Sequence, residues 1–366
     1  FFFKQKTAYE IKECDWSSDV CSSDLPPSSS PHSAGGGTAG RSIGAMSGFW
    51  SGRRVVVTGG AGFLGRVVVA TLREAGAEVS VPRSTEYDLT VPGVAERLLA
   101  DTEPSHVIHL AARVGGIGYN QAEPAPLYLS NLLMGTHVIE AARHAASVHK
   151  TVLLGTVCSY PKFTPVPFHE ESLWDGYPEE TNAPYGIAKK AHLVHAQVNA
   201  AQYGQRFAYL IPTNLYGPGD KFHPSVSHVI PARIKRCVEA TERGETTMDV
   251  WGTGRASREY LYVNDAARAI VMAAEHYEGT EPINLGTNHE VNIRETVELI
   301  AEMVGFRGEL VWDTTKPDGQ PRRRVDPGRA KELFGWEASM PFETGLRNTI
   351  DWYLANREEA ERAPLH

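Results

Sequence analysis

From Arg54 onward, short apolar runs bounded by Gly and Pro alternate with longer stretches whose apolar positions recur every three or four residues. RRVVVTGG, AEVSVP, HVIHLAA, KTVLLGT and RFAYLIPTN read as strands. RVVVATLREAG, VAERLLADTEP, NLLMGTHVIEAARHA and YGIAKKAHLVHAQVNAAQYG read as the helices between them. One apolar run alone is ambiguous; the repeated alternation predicts βαβ units and an α/β fold with a Rossmann-type doubly wound parallel sheet. After Asn214 the rhythm breaks, because YGPGDKFHPSVSHVIP is rich in turn formers and leads into the helix-like ARIKRCVEATERG, as a substrate-facing insertion does. REYLYVNDAARAIVMAAEHY and PINLG are expected to rejoin the first sheet as a helix and a strand. The rest, from VNIRETVELIAEMVG, is expected to form a smaller C-terminal α/β substrate-binding domain. The expected division is 46–216 with roughly 259–286 for the first domain, and 217–258 with 287–366 for the second.

The chain before this pattern is of another kind. FFFKQKTAYEI and DWSSDVCSSDL resemble sequencing-library adapter DNA translated in frame, so residues 1–25 are left out of fold reasoning. PPSSSPHSAGGGTAGRSIGA has the composition of a flexible linker, and Met46 is the expected start. The opening Phe run is short and soon followed by Lys, unlike a signal peptide. The formal net charge is −8; residues 1–25 hold three Lys against five Asp and Glu, so the remainder carries −6. That mild acidity argues against a general nucleic-acid binder, and no run approaches the roughly 18 apolar residues that span a membrane. Two of the four cysteines, Cys14 and Cys21, lie in the adapter-like stretch. Cys158 and Cys237 are too few for a disulfide framework, which suits a reducing, cytoplasmic setting.

Candidate chemistry sharpens the picture. TGGAGFLG sets Gly59, Gly62 and Gly65 in a GxxGxxG spacing at the first strand-to-helix junction. Glycines there permit a tight turn and close approach of the backbone amides, including those of Phe63 and Leu64, to a dinucleotide pyrophosphate. At the end of the second strand an NAD site places Asp or Glu; this chain has VPRST, and the guanidinium of Arg83 suits the 2′-phosphate of NADP(H). Asp88, Leu89, and Ala111 and Ala112 of the HLAAR turn are candidate neighbours of the adenine and pyrophosphate. NAPYGIAK places Tyr185 and Lys189 on one helical face, where an ammonium favours phenolate and the tyrosine can exchange a proton at a carbonyl as hydride moves. GTVCSYP adds the strand-end hydroxyl of Thr156.

With GxxGxxG, a strand-end hydroxyl and YxxxK together, the chain resembles the extended short-chain dehydrogenase/reductases. More narrowly it resembles the GDP-L-fucose synthase family through AARVGGI, LGTVCSYPK, NAPYGIAKK, PTNLYGPGDKFHPSVSHVIPARIKR, VWGTGRASREYLYVNDAA and VWDTTKPDGQPRR. That resemblance implies NADPH-dependent epimerisation and reduction of a GDP-linked 4-keto-6-deoxy sugar. It implies a Thr156, Tyr185 and Lys189 triad, an epimerisation pair in Cys158 and His228, and cofactor neighbours in Pro212, Asn214 and Leu215. Asn214 and His228 would also touch the sugar, with Arg236, Trp251, Arg258 and Lys316 gripping the nucleotide-sugar, and relatives pair as homodimers through two helices, here those of NLLMGTHVIEAA and YGIAKKAHLV. The family pattern has Ser where this chain has Thr156, and Ala where it has Gly186. Two other readings stay open: a GDP-mannose 3,5-epimerase type with tightly bound NAD, and a dinucleotide sensor without chemistry. Cys237 reads as a buried helix residue, and the RRR run at 322–324 as a solvated stretch. No metal site is expected.

Overall fold

The computed structural model describes residues 48–115, 117–223, 227–316 and 320–362. The adapter-like and linker stretch 1–45 and the expected start at Met46 lie outside them. In chain order the strands are β1 (Arg54–Thr58), β2 (Glu78–Ser80), β3 (His106–His109), β4 (Lys150–Leu154), β5 (Phe207–Pro212) and β6 (Asn214–Tyr216). They continue as β7 (Thr247–Trp251), β8 (Ser257–Tyr262), β9 (Pro282–Leu285), β10 (Glu290–Asn292), β11 (Glu309–Asp313) and β12 (Arg322–Arg323). The helices that matter below are α1 (Phe63–Glu74), α2 (Val94–Thr102), α3 (Ile117–Ala122), α4 (Pro124–His144), α5 (Ala183–Tyr203), α6 (Val229–Glu242), α7 (Val263–His276) and α8 (Ile293–Val304).

Six strands form one parallel sheet in the order β2-β1-β3-β4-β5-β9. Helices cover both faces, so the strands read as unbroken apolar runs, and alternate residues serve opposite cores. Val55, Val57, Ile108, Val152 and Leu210 pack under α1 and α7 with Leu72 and Ile270. Val56 and Val107 meet Leu98 of α2 and Val138 of α4, while Leu153, Phe207, Tyr209 and Ile211 meet Ile139 of α4 and Leu193 of α5. The sheet and its helices match the expected doubly wound pattern. Among the described residues no helix is long and apolar enough to cross a membrane.

The remaining strands form a second sheet, in which β8 pairs with β6, β10 and β12, and a parallel β7–β11 pair. The expectation for REYLYVNDAARAIVMAAEHY needs correction: it is not helix throughout. Its first residues complete β8 of the smaller sheet before α7 returns to the main one. Alternation explains the switch, since Leu261 enters the main core whereas Tyr260 and Tyr262 enter the other with Tyr216, Phe222, Ile234, Val250, Ile300 and Tyr353. Buried Glu259 of β8 holds this region in register: its carboxylate accepts the backbone N–H groups of Thr287 and Asn288, each at 2.7 Å, and of Val325 at 2.9 Å.

Candidate active site

The residues expected at the cofactor sit at, or just past, the C-terminal ends of the parallel strands: Gly59–Gly65 after β1, Arg83 after β2, Ala111 and Ala112 after β3, Pro212, Asn214 and Leu215 around the end of β5. Strand β1 has β2 on one side and β3 on the other, so the connections diverge there and leave a crevice of the kind that takes a ligand in open α/β sheets. Gly59 has φ +70°, and a Cβ there would lie 2.6 Å from the Ala111 nitrogen. A Cβ at Gly65 would run into the Gly59 carbonyl, and one at Gly60 would lie 2.9 Å from the Val57 carbonyl. Gly60, outside the GxxGxxG spacing, thus belongs to the cradle too. Gly62 caps α1 without a side-chain bond, leaving the first-turn amides, those of Phe63 and Leu64 among them, to an anion. This surface of backbone alone fits a dinucleotide pyrophosphate.

Thr58 closes the neighbouring turn. Its hydroxyl accepts the Ala111 N–H at 3.3 Å and lies 2.8 Å from His109 Nδ1. Arg83 is exposed, its carbonyl accepts the N–H groups of Glu86 and Tyr87, and its guanidinium forms no ion pair among the described residues. Asp88 accepts from the Thr90 N–H at 3.0 Å and hydroxyl at 2.7 Å, which hold its carboxyl below the usual range and fix its own turn. Leu89 is buried, and its carbonyl accepts from His137 Nδ1 at 2.8 Å.

Beyond β4 the chain makes a short 3-10 turn, Val157–Ser159, capped by Thr156, whose Oγ1 accepts the Cys158 N–H at 3.2 Å. Helix α5 begins close by. Ser159 Oγ donates to the Gly186 carbonyl at 3.0 Å, and a Cβ at Gly186 would lie 2.6 Å from the Cys158 carbonyl. Absence of that Cβ brings the first turn of α5 onto the Cys158 turn, with Tyr185 beside the thiol. Lys189, one turn on, is 2% exposed, and its Nζ lies over the Tyr185 ring, 5.8 Å from the centroid. Tyr209 of β5 fixes this turn by donating to the Lys189 carbonyl at 2.7 Å.

The electrostatics of the pair correct the expectation of a lysine-stabilised phenolate. Desolvation, and after it the neighbouring Cys158, pushes the Tyr185 phenol well above its usual range, whereas desolvation brings Lys189 down to about 8. Burial is the first cause of both shifts. Tyr185 keeps its proton at neutral pH.

The outer candidates lie around the smaller sheets. His228 is exposed at the N-cap of α6, and desolvation, then the Lys221 ammonium, lowers its imidazole below the usual value. Arg236 donates to Glu245 at 2.7 Å through Nη2, while its Nη1 is buried without a partner among the described residues. Trp251, 66% exposed at the end of β7, has the Lys316 Nζ 5.6 Å from its ring centroid. Arg258 faces Val291 and Arg323 in the β-ladders and donates to the Ser257 carbonyl at 2.6 Å. Asn214 donates to the Glu259 carbonyl at 3.2 Å. The structure thus gathers Thr156, Cys158, Tyr185 and Lys189, and separately Trp251 and Lys316; no hydrogen bond joins His228 to Cys158 among the described residues.

Cys237 is fully buried in α6, 3.7 Å from Met248 Sδ, and desolvation pushes its thiol up to about 11. The RRR run is solvated only in part: Arg322 is exposed, while Arg323 and Arg324 are half-buried. Arg322 bonds to Glu290 at 3.0 Å, Arg324 to Asn288 at 2.9 Å, and Arg323 to Gln320 and to the Sγ of Cys158 at 3.6 Å. Arg323 therefore belongs to the site.

A family model, that of the NAD dependent epimerase/dehydratase family, matches residues 55–286. The chain belongs to this family. Among its relatives, GDP-L-fucose synthase 1 of Arabidopsis thaliana is 42% identical over 304 residues, 83% of this chain and 94% of its own. GDP-L-fucose synthase of Escherichia coli is 38% identical over 316 residues, 84% of this chain and 98% of its own. A GDP-L-fucose synthetase from Naegleria fowleri, solved bound to NADP, superposes with a TM-score of 0.76 at 28% identity, covering 85% of this chain and 97% of the other. The family match and this superposition agree with the α/β fold described above.

Proposed function

We propose that this enzyme converts GDP-4-keto-6-deoxy-D-mannose to GDP-L-fucose, inverting C3 and C5 and reducing C4 with NADPH. The observation that carries the reading is the joint placement of Thr156, Cys158 and Tyr185 at the C-terminal end of β4, in a chain 42% identical to a GDP-L-fucose synthase. The C–H bonds at C3 and C5 of a 4-keto sugar are acidic because the resulting enolate places its charge on O4. Thr156 and Tyr185 donate hydrogen bonds to that oxygen in both epimerisations. Cys158 removes the proton from one face of the ring, and His228 supplies one to the other. His228 is neutral in the free protein, and the diphosphate charge of the bound substrate favours its protonated form. When bound, NADPH supplies the hydride that reaches C4. Tyr185, whose desolvated phenol holds its proton more tightly than usual, gives O4 that proton in the same step, with Lys189 holding a positive charge beside it.

The exposed guanidinium of Arg83, in no ion pair among the described residues, supports NADP(H), as does the NADP bound by the Naegleria relative. The Nη1 of Arg236, without a partner among the described residues, supports a phosphate ligand, and Arg258, Lys316 and the exposed face of Trp251 are further candidate nucleotide contacts. Residues 46–216 with roughly 259–286 would hold the dinucleotide and the others the nucleotide-sugar. A homodimer through α4 and α5 is supported by the exposed apolar side chains of Leu129, Val194 and Val198. The test follows NADPH absorbance with GDP-4-keto-6-deoxymannose and identifies the product. NADPH oxidation with GDP-L-fucose formed bears the proposal out; bound but unconsumed NADPH would sink it.

A further inference from the structure

We propose that Arg323 is the positioning residue for the thiol of Cys158, holding Sγ toward the sugar and stabilising the negative charge it carries as a base. The inference rests on the epimerisation reading of Cys158 given above. Strand β12 has only two residues, in parallel register with β8: Arg322 faces Ser257, and Arg323 faces Arg258. Neighbours on a strand point to opposite sides, and the contacts follow that rule, since Arg322 reaches Glu290 while Arg323 reaches Cys158. Backbone bonds set the height of β12: the Ser257 N–H donates to the Pro321 carbonyl at 2.9 Å, and the Phe168 N–H to the Arg324 carbonyl at 2.8 Å.

The Arg323 guanidinium is itself pinned. Its Nε and Nη2 both donate to Gln320 Oε1, at 3.1 and 2.7 Å, and Gln320 Nε2 donates in turn to the Lys162 carbonyl at 2.8 Å. Lys162 stands four residues beyond Cys158, so the bonds close a ring from the thiol through Arg323 and Gln320 back to the segment that carries it. With two nitrogens engaged, Nη1 is left for the sulfur at 3.6 Å. A cysteine side chain otherwise chooses among three staggered χ1 wells. An N–H from a permanently charged guanidinium selects one of them and stabilises the thiolate that must be present before the sulfur takes the C3 or C5 proton and becomes a neutral thiol. The backbone side of the same residue is held by Thr156. Loss of Arg323 should therefore slow proton removal without loosening either ligand.

The test reads deuterium entering C3 and C5 of GDP-4-keto-6-deoxymannose in heavy water, beside the KM for the sugar and the Kd for NADPH. Wild type against Cys158→Ser checks the underlying reading: exchange by the former and none by the latter is required before Arg323 is judged. Arg323→Met should then lower the exchange rate about tenfold or more, with KM and Kd within about threefold. Arg323→Lys, which keeps a charged donor, should recover most of the rate. Gln320→Ala, which frees the guanidinium but keeps it, should lose less in the same direction and serves if Arg323→Met does not fold. Unchanged exchange in Arg323→Met and in Gln320→Ala overturns the inference. A raised KM with kcat intact overturns it too, because Arg323 would then only bind the substrate's phosphates.

Discussion

The Nζ of Lys189 stands over the ring of Tyr185, 5.8 Å from its centroid, one helical turn along α5. The side chain is 2% exposed, and desolvation lowers it to about 8 from the ordinary 10.5. Between those two values the unfolded chain binds a proton that the folded chain does not, so the contribution of Lys189 to stability rises with pH across that window and is lowest below it. Lys189→Met removes the penalised ammonium and keeps the bulk. The cofactor-free variant should melt no lower than wild type at pH 7, and any advantage should shrink toward pH 10, while kcat falls about a hundredfold or more. Calorimetry over that pH range, beside NADPH oxidation rates, checks both. A variant that melts several degrees lower at pH 7 would show that the ammonium supports the fold.

Thr156 has two duties that substitution can separate. Its Oγ1 accepts the Cys158 N–H, and its own proton remains for the O4 of the sugar. Thr156→Ser retains both and should keep kcat within about threefold, whereas Thr156→Val loses both and should cut kcat about a hundredfold. Product formation by the two variants is the measurement. Equal activity in the valine variant would remove the hydroxyl from the mechanism.

The parts of this molecule legible in its sequence are those set by local periodicity. The glycine loop at Gly59–Gly65 follows a strand and opens a helix, and Tyr185 and Lys189 lie one turn apart in a helix, so neighbours along the chain suffice to place them. Three features were not legible. REYLY changes sheet because Leu261 and the flanking Tyr260 and Tyr262 face different cores, a choice made by residues far away in sequence. Arg323 meets Cys158 from 165 positions away, through a two-residue strand too short to leave a pattern. The upward push on the Tyr185 phenol comes first from depth of burial, which the YxxxK spacing does not encode.

Arg83 lies beyond β2 with its guanidinium in no ion pair among the described residues, and its main chain is already fixed by the Glu86 and Tyr87 amides. Arg83→Ala should leave that turn intact and remove one charge-assisted contact to the 2′-phosphate. NADPH should bind about tenfold or more weakly, and NADH, which lacks that phosphate, within about threefold of wild type. Fluorescence titration with both cofactors decides the matter. A parallel loss for both would place Arg83 elsewhere on the nucleotide.

Helix α5 carries Tyr185 in its first turn and, further along, Val194 and Val198, which are 43% and 52% exposed and one turn apart. Helix α4 packs against it, where His192 lies 3.1 Å from the Leu132 carbonyl, and α4 exposes Leu129. A second copy of this face would bury these side chains and steady the helix that aims the phenol. Val198→Glu places a charge within that contact at a solvent-exposed helical position, where it should not disturb the monomer's own core. Wild type should elute with twice the 40.1 kDa chain mass and the variant with a mass that falls toward one chain on dilution. If the proposed reacting groups all come from one chain, the separated monomer should keep NADPH binding while losing about a few degrees of melting temperature. Wild type that stays at one chain mass at every concentration would rule out the pairing, and the apolar stripe would then need a different partner.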